Sequence, residues 1–107
     1  MRIIFREPGK PPRTMIVPND LETLQDLVGG LIEHVQLKPG LGLIINEEAK
    51  LRGMDNNFFL PAINDMIVGP AVFVGEDGEE FSDISEYDHA MIMMYFEAEI
   101  DALGGKP

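Results

Sequence analysis

The chain has 107 residues, no cysteine and a net charge of −11, which excludes disulfides and cysteine-based metal sites. Its length fits one domain spanning 1–107, and a hydrophobic content of 45% can build a core without staples. Residues 1–52 hold seven basic and seven acidic side chains, whereas 53–107 hold twelve acidic ones against Lys106, so the whole imbalance lies in the second half.

An anionic field of this size repels nucleic-acid backbones and anionic membranes, and it attracts basic protein surfaces. No run of residues approaches the roughly 18 apolar positions that span a bilayer. The opening Met1-Arg2-Ile3-Ile4-Phe5-Arg6 is too short and too soon charged for a secretory signal. A cytoplasmic location is therefore expected.

In chain order, Arg2–Arg6 and Arg13–Val17 are rich in β-branched or aromatic residues and are separated by Glu7-Pro8-Gly9-Lys10-Pro11-Pro12. Pro and Gly impose a turn there, so the pair is predicted to be a β-hairpin. Asn19, with Glu22 three positions on, has the spacing of a helix-capping box. Leu21, Leu24, Leu27 and Val28 recur at helical period, and Gly29-Gly30 supplies the left-handed stop. Leu31–Leu37 and Leu41–Asn46 are predicted strands joined by the turn Lys38-Pro39-Gly40. The apolar run Leu43-Ile44-Ile45 marks the second of them as a central strand.

Glu47–Leu51 is predicted to form one helical turn ended by Gly53, and Phe58-Phe59-Leu60-Pro61 an apolar loop or short segment. Met66–Val74 reads as a strand interrupted by Gly69-Pro70, which implies an edge or a bulge because proline cannot donate to a ladder. Gly75–Glu80 is a polar turn. Asp83 and Glu86 have capping-box spacing for a last helix running to Leu103 and ended by Gly104-Gly105. Ile84, Tyr87, Met91, Met94, Tyr95 and Ala98 mark one face of that helix, and Ile92, Phe96, Ile100 and Leu103 widen it. The fold expected is α+β: a small, mainly antiparallel sheet of about five strands with two helices packed on it. An apolar helix face wider than one small sheet covers would imply a homodimer.

Chemistry-bearing patterns are sparse. The serines, Ser82 and Ser85, sit where helix capping explains them, and no Gly-x-Ser-x-Gly, Gly-x-Gly-x-x-Gly or Walker pattern occurs. Glu86 and His89 have the spacing of paired ligands on a helix, but no second pair accompanies them, so no metal and no cofactor is expected. Two binding readings remain. In the first, the carboxylates Asp77, Glu79, Glu80, Asp83, Glu86, Asp88, Glu97 and Asp101 meet a cationic protein surface. In the second, Asn46, Lys50, Arg52 and Asn57 build a loop pocket for a small anionic nucleotide signal.

Several segments carry a family resemblance. They are the opening strand with Glu7-Pro8-Gly9-Lys10-Pro11-Pro12, then Leu24-Gln25-Asp26-Leu27-Val28-Gly29-Gly30 with Ile32-Glu33, then Ile45-Asn46-Glu47-Glu48-Ala49-Lys50-Leu51, and the stretch from Asp65 to Gly75. Over most of 1–81 the chain resembles the family of the domain of unknown function DUF3846. It departs at Ala49, where glycine is expected, and at Gly53-Met54-Asp55-Asn56-Asn57-Phe58, where the family tends to Gly-Leu-Pro-x-Asn-Arg. The resemblance implies no activity. It associates the chain with phages and conjugative elements, beside genes thought to counter host defence. The expectation is a non-catalytic accessory protein that binds and blocks a host defence component, of anti-CRISPR or anti-restriction type.

Overall fold

The computed structural model describes residues 1–102, with α2 side chains described to Glu99. The elements are β1 (Arg2–Arg6), β2 (Arg13–Ile16), α1 (Leu21–Val28), β3 (Ile32–Lys38), β4 (Leu41–Asn46), β5 (Asn56–Leu60), a 3-10 turn (Pro61–Ile63), β6 (Asp65–Val68), β7 (Ala71–Asp77), β8 (Glu80–Ser82) and α2 (Glu86–Ala102). The main sheet runs β2-β1-β7-β4-β3 with every neighbour antiparallel, and β8 pairs with the far end of β7. A separate hairpin, β5-β6, lies off this sheet. The α+β fold with an antiparallel sheet and two packed helices is thus present.

Alternation along each strand sends side chains to opposite faces, and both faces are covered. On one face Ile4, Leu43, Ala71 and Phe73 pack with Phe58 and Ile67 of the β5-β6 hairpin and Phe96 of α2. Phe58, Phe73 and Phe96 form a mutual aromatic cluster with centroids 5.0 to 5.9 Å apart. On the other face Ile3, Phe5, Ile44, Val72 and Val74 pack against Leu24 and Val28 of α1. Full burial of a phenylalanine such as Phe96 contributes roughly 1.5–3 kcal/mol, so this cluster is what docks α2 on the sheet.

Local expectations were met at the first hairpin, at Gly29, which is left-handed (φ 81°) and donates to the Gln25 carbonyl, and at the central strand β4. Elsewhere the structure differs. Asp20 caps α1 in place of Asn19, accepting from the Thr23 N–H at 2.8 Å, while Asn19 donates to the Phe81 carbonyl. Ser85 caps α2 in place of Asp83, because Asp83 is drawn away to accept the Arg2 N–H. Glu47–Leu51 forms turns without a helix, and Phe58–Leu60 is strand.

The segment Met66–Val74 is two strands in two sheets. Gly69 (φ 81°) and Pro70 lie between them, so the proline interrupts no ladder, and β7 is the most central strand of the fold. The expected polar turn after Gly75 is a hairpin, with Gly78 (φ 65°) at its tip. The Leu103 end of α2 and its Gly104-Gly105 stop lie outside the described residues.

Candidate functional site

The β7-β8 hairpin projects the densest group of carboxylates. Asp77 and Glu80 face each other in its register, and both are exposed with Glu79. They stand beside a cleft of about 360 Å³ whose floor is Glu76, Gln36 and His34, whose wall is Phe81 and whose rim is Glu79 and Glu80. The Glu76 side chain is only 6% exposed. One carboxylate oxygen accepts from Gln36 Nε2 at 2.6 Å, and the other meets His34 Nε2. Phe81 holds the His34 ring edge to face at 4.9 Å.

Gly42 makes this cluster possible. A Cβ at that position would lie 2.6 Å from Glu76 and 2.8 Å from His34. Neither Lys nor Arg lines the cleft, so its open groups can accept hydrogen bonds and attract a cation, whereas an anion would meet carboxylates. His34, Gln36 and Glu76 are not among the site residues expected from sequence. The available signal was period two on β3, which puts His34 and Gln36 on one face, but nothing local couples them to a residue of β7.

The eight carboxylates expected to meet a partner are divided by the fold. Asp77, Glu79 and Glu80 share the hairpin, and Glu86 and Glu97 are exposed on α2. Asp83 is engaged with the Arg2 backbone. Asp88 is buried and takes Lys38 Nζ at 2.8 Å. The Asp101 side chain lies outside the described residues.

Charge segregation along the chain is therefore only partly segregation in space. Arg6–Glu99 at 3.1 Å, Lys38–Asp88 at 2.8 Å and Lys50–Asp65 at 2.9 Å each join a base of the first half to an acid of the second. The Lys38 ammonium is held above its ordinary range, chiefly by its hydrogen bond to Asp88. The Asp65 carboxyl is held below its ordinary range, chiefly by Lys50.

The residues of the loop-pocket reading are mostly committed to the protein itself. Buried Asn46 donates to the Val28 carbonyl and accepts from the Glu48 N–H. Arg52 donates to the Gly29 carbonyl. Asn57 donates to the carbonyls of Arg6 and Gly69, which leaves its buried Oδ1 without a partner. Lys50 and Asn46 do line one cleft of about 410 Å³, but Glu33, Glu47 and Asp65 line it too.

His89 is bonded to Thr14 of β2. Among the described residues no group of three or more His, Asp or Glu side chains is arranged to hold a metal.

On α2, Tyr87, Met91 and Met94 face solvent with Tyr95 at the edge of the stripe, although this stripe was expected to include the packed side. Ile92, Met93 and Phe96 make the sheet contact in its place. The reason is that α2 is apolar on both sides, so periodicity alone does not choose a face. Polar anchors choose it: Asp88 to Lys38, Glu99 to Arg6, His89 to Thr14, and the Tyr95 hydroxyl to the Phe59 carbonyl. Burial, reinforced by Glu99, pushes the Tyr95 hydroxyl above its ordinary range.

Fold and surface together define a small acidic α+β domain with a carboxylate-rimmed hairpin and an uncovered apolar helix face. The family model described as domain of unknown function (DUF3846) matches residues 1–97, and the chain belongs to that family. No curated protein and no solved structure matches the chain. Among the described residues, no helix is long and apolar enough to cross a membrane.

Proposed function

We propose that the chain is a non-catalytic accessory protein of a phage or mobile element, acting in the host cytoplasm, that binds and inhibits a host defence component of CRISPR or restriction type. The observation that carries this reading is the β7-β8 hairpin. Asp77, Glu79 and Glu80 stand exposed on it, and Glu79 and Glu80 rim a cleft floored by Glu76 and lined by no Lys or Arg. Such a surface complements the cationic side chains with which a nuclease or effector holds nucleic acid, and it would compete for them.

Exposed carboxylates act mainly on encounter rate and partner choice. The prediction is that replacing Asp77, Glu79 and Glu80 together by Lys slows association with the captured host partner about tenfold or more. Added salt should weaken the wild-type complex in parallel. A complex whose formation responds neither to salt nor to the triple substitution overturns the reading. Sequestration of a nucleotide is less favoured, since Glu33, Glu47 and Asp65 would confront an anion beside Lys50.

A further inference from the structure

The outward face of α2 is unlike the hairpin. Tyr87, Met91, Met94 and Tyr95 are 36 to 67% exposed and lie along one stripe. Beside Met91 and Tyr95 the stripe opens into an apolar cleft of about 240 Å³ that reaches Phe58 and Phe73 of the core, with Leu37 and Leu60 on its walls and Lys38, paired with Asp88, at one side. The volume admits one large side chain, and the walls offer it mainly carbon.

Helical geometry sets Glu86 and Glu97, about three turns apart, on one flank of this stripe. On the other flank, Asp88 and Glu99 are already neutralised by Lys38 and Arg6. The α2 helix contains neither Lys nor Arg, and its one histidine is turned to Thr14. Two copies of α2 packed stripe to stripe and antiparallel would set Glu86 and Glu97 of one copy against those of the other, since Lys38, 5.2 Å from the Tyr87 ring centroid, lies on the opposite flank. A cationic counterpart would relieve that repulsion.

We infer that this face is a second docking surface, whose occupant is an amphipathic, cationic helix of the partner protein. This rests on reading the chain as a protein-binding module, and it adds the kind of element bound. The apolar side of the helix lies along Tyr87, Met91 and Met94, and one large residue enters the cleft beside Tyr95. Its Lys or Arg residues meet Glu86 and Glu97. A helix is the matching shape because side-chain ridges on α2 interdigitate with those of another helix.

The chain's seven methionines make the test local. The intact protein, carrying 13C-methyl methionine, is titrated with a synthetic helix bearing Leu at i, i+3, i+4 and i+7 and Lys elsewhere. The controls are a scrambled peptide of the same composition and a Glu-for-Lys version. Expected are shifts of the Met91 and Met94 methyls with Met15 and Met54 unmoved, and affinity about tenfold lower for the scrambled peptide.

Met91→Asp should lower the affinity by about the same factor, and Tyr87→Asp, at a more exposed position, repeats the test if the first variant folds poorly. The shifts should survive the triple hairpin substitution. Equal binding of the scrambled peptide, equal shifts at Met15 and Met54, or a dimer of the free chain seated on Met91 and Met94 each overturns the inference. In any of these cases a salt-sensitive hairpin complex would leave the first reading standing.

Discussion

Gly42 and Gly75 lie on neighbouring central strands and are constrained by different atoms. At Gly42 a methyl would press on the ends of two side chains, Glu76 and His34, which can swing aside at the expense of their contact. At Gly75 a methyl would overlap the backbone carbonyl of Asp83, which the β7-β8 hairpin and the Arg2–Asp83 contact hold in place. Gly75→Ala is therefore predicted to cost about 3 kcal/mol or more, against about 1 kcal/mol for Gly42→Ala. Urea unfolding of the two variants checks the order, and equal midpoints would contradict it. Neither demand is visible in the sequence, because each clash comes from an atom that only the paired strands and the β7-β8 hairpin bring against the glycine. Asn46 and Asn57 teach a similar lesson. Their amides resemble ligand-binding groups in sequence, yet they satisfy backbone carbonyls where chain segments cross.

Among the elements, α1 shows how closely a local rule can be followed and still be displaced by one residue. Its apolar period and its Gly29 stop were legible, but adjacent Asn19 and Asp20 are both competent caps. Tertiary contact decided between them, since Asn19 reaches Phe81 on β8. The Asp20 carboxyl is held below its ordinary range by its hydrogen bonds to Thr23. A depressed carboxyl contributes stability that is present above its unfolded value, about 3.9, and lost as pH falls through the folded value. Asp20→Ala is accordingly predicted to lower Tm at about pH 6 and to converge with the wild type as pH falls through the folded value. Asp20→Asn, which keeps an acceptor, should lie between them at neutral pH. A gap between Asp20→Ala and wild type that stays constant across that range would refute the linkage. The same competition governs α2, where polar anchors, not periodicity, turned the Tyr87–Met94 stripe to solvent.

At the scale of the whole molecule, the sheet interleaves the two halves of the chain. β7 lies between β1 and β4, so the acidic second half is threaded into the neutral first, and ion pairs form across the division. Lys38–Asp88 couples the edge strand β3 to α2, with the Lys38 ammonium held above its ordinary value. A raised lysine contributes stability that is fully present below its unfolded value, about 10.4, and is lost as pH rises through the folded one. Between about pH 9 and 12 the wild type is expected to lose more stability than Lys38→Met, as followed by denaturant midpoint, because only the former has this contribution to lose. Parallel loss in both proteins would show that the pair does not link β3 to α2.

The amino-acid sequence by itself determined the class of fold, the first hairpin, the place of α1, the central strand β4 and the family resemblance. These depend on period, turn residues and composition, all of which act over a few neighbours. Tertiary structure decided the split of Met66–Val74 into two sheets, the cap used by each helix, the face α2 buries, the His34–Glu76–Gln36 cluster and which carboxylates stay exposed. Each of these depends on a residue brought near from elsewhere in the chain, and a distant partner leaves no local signature.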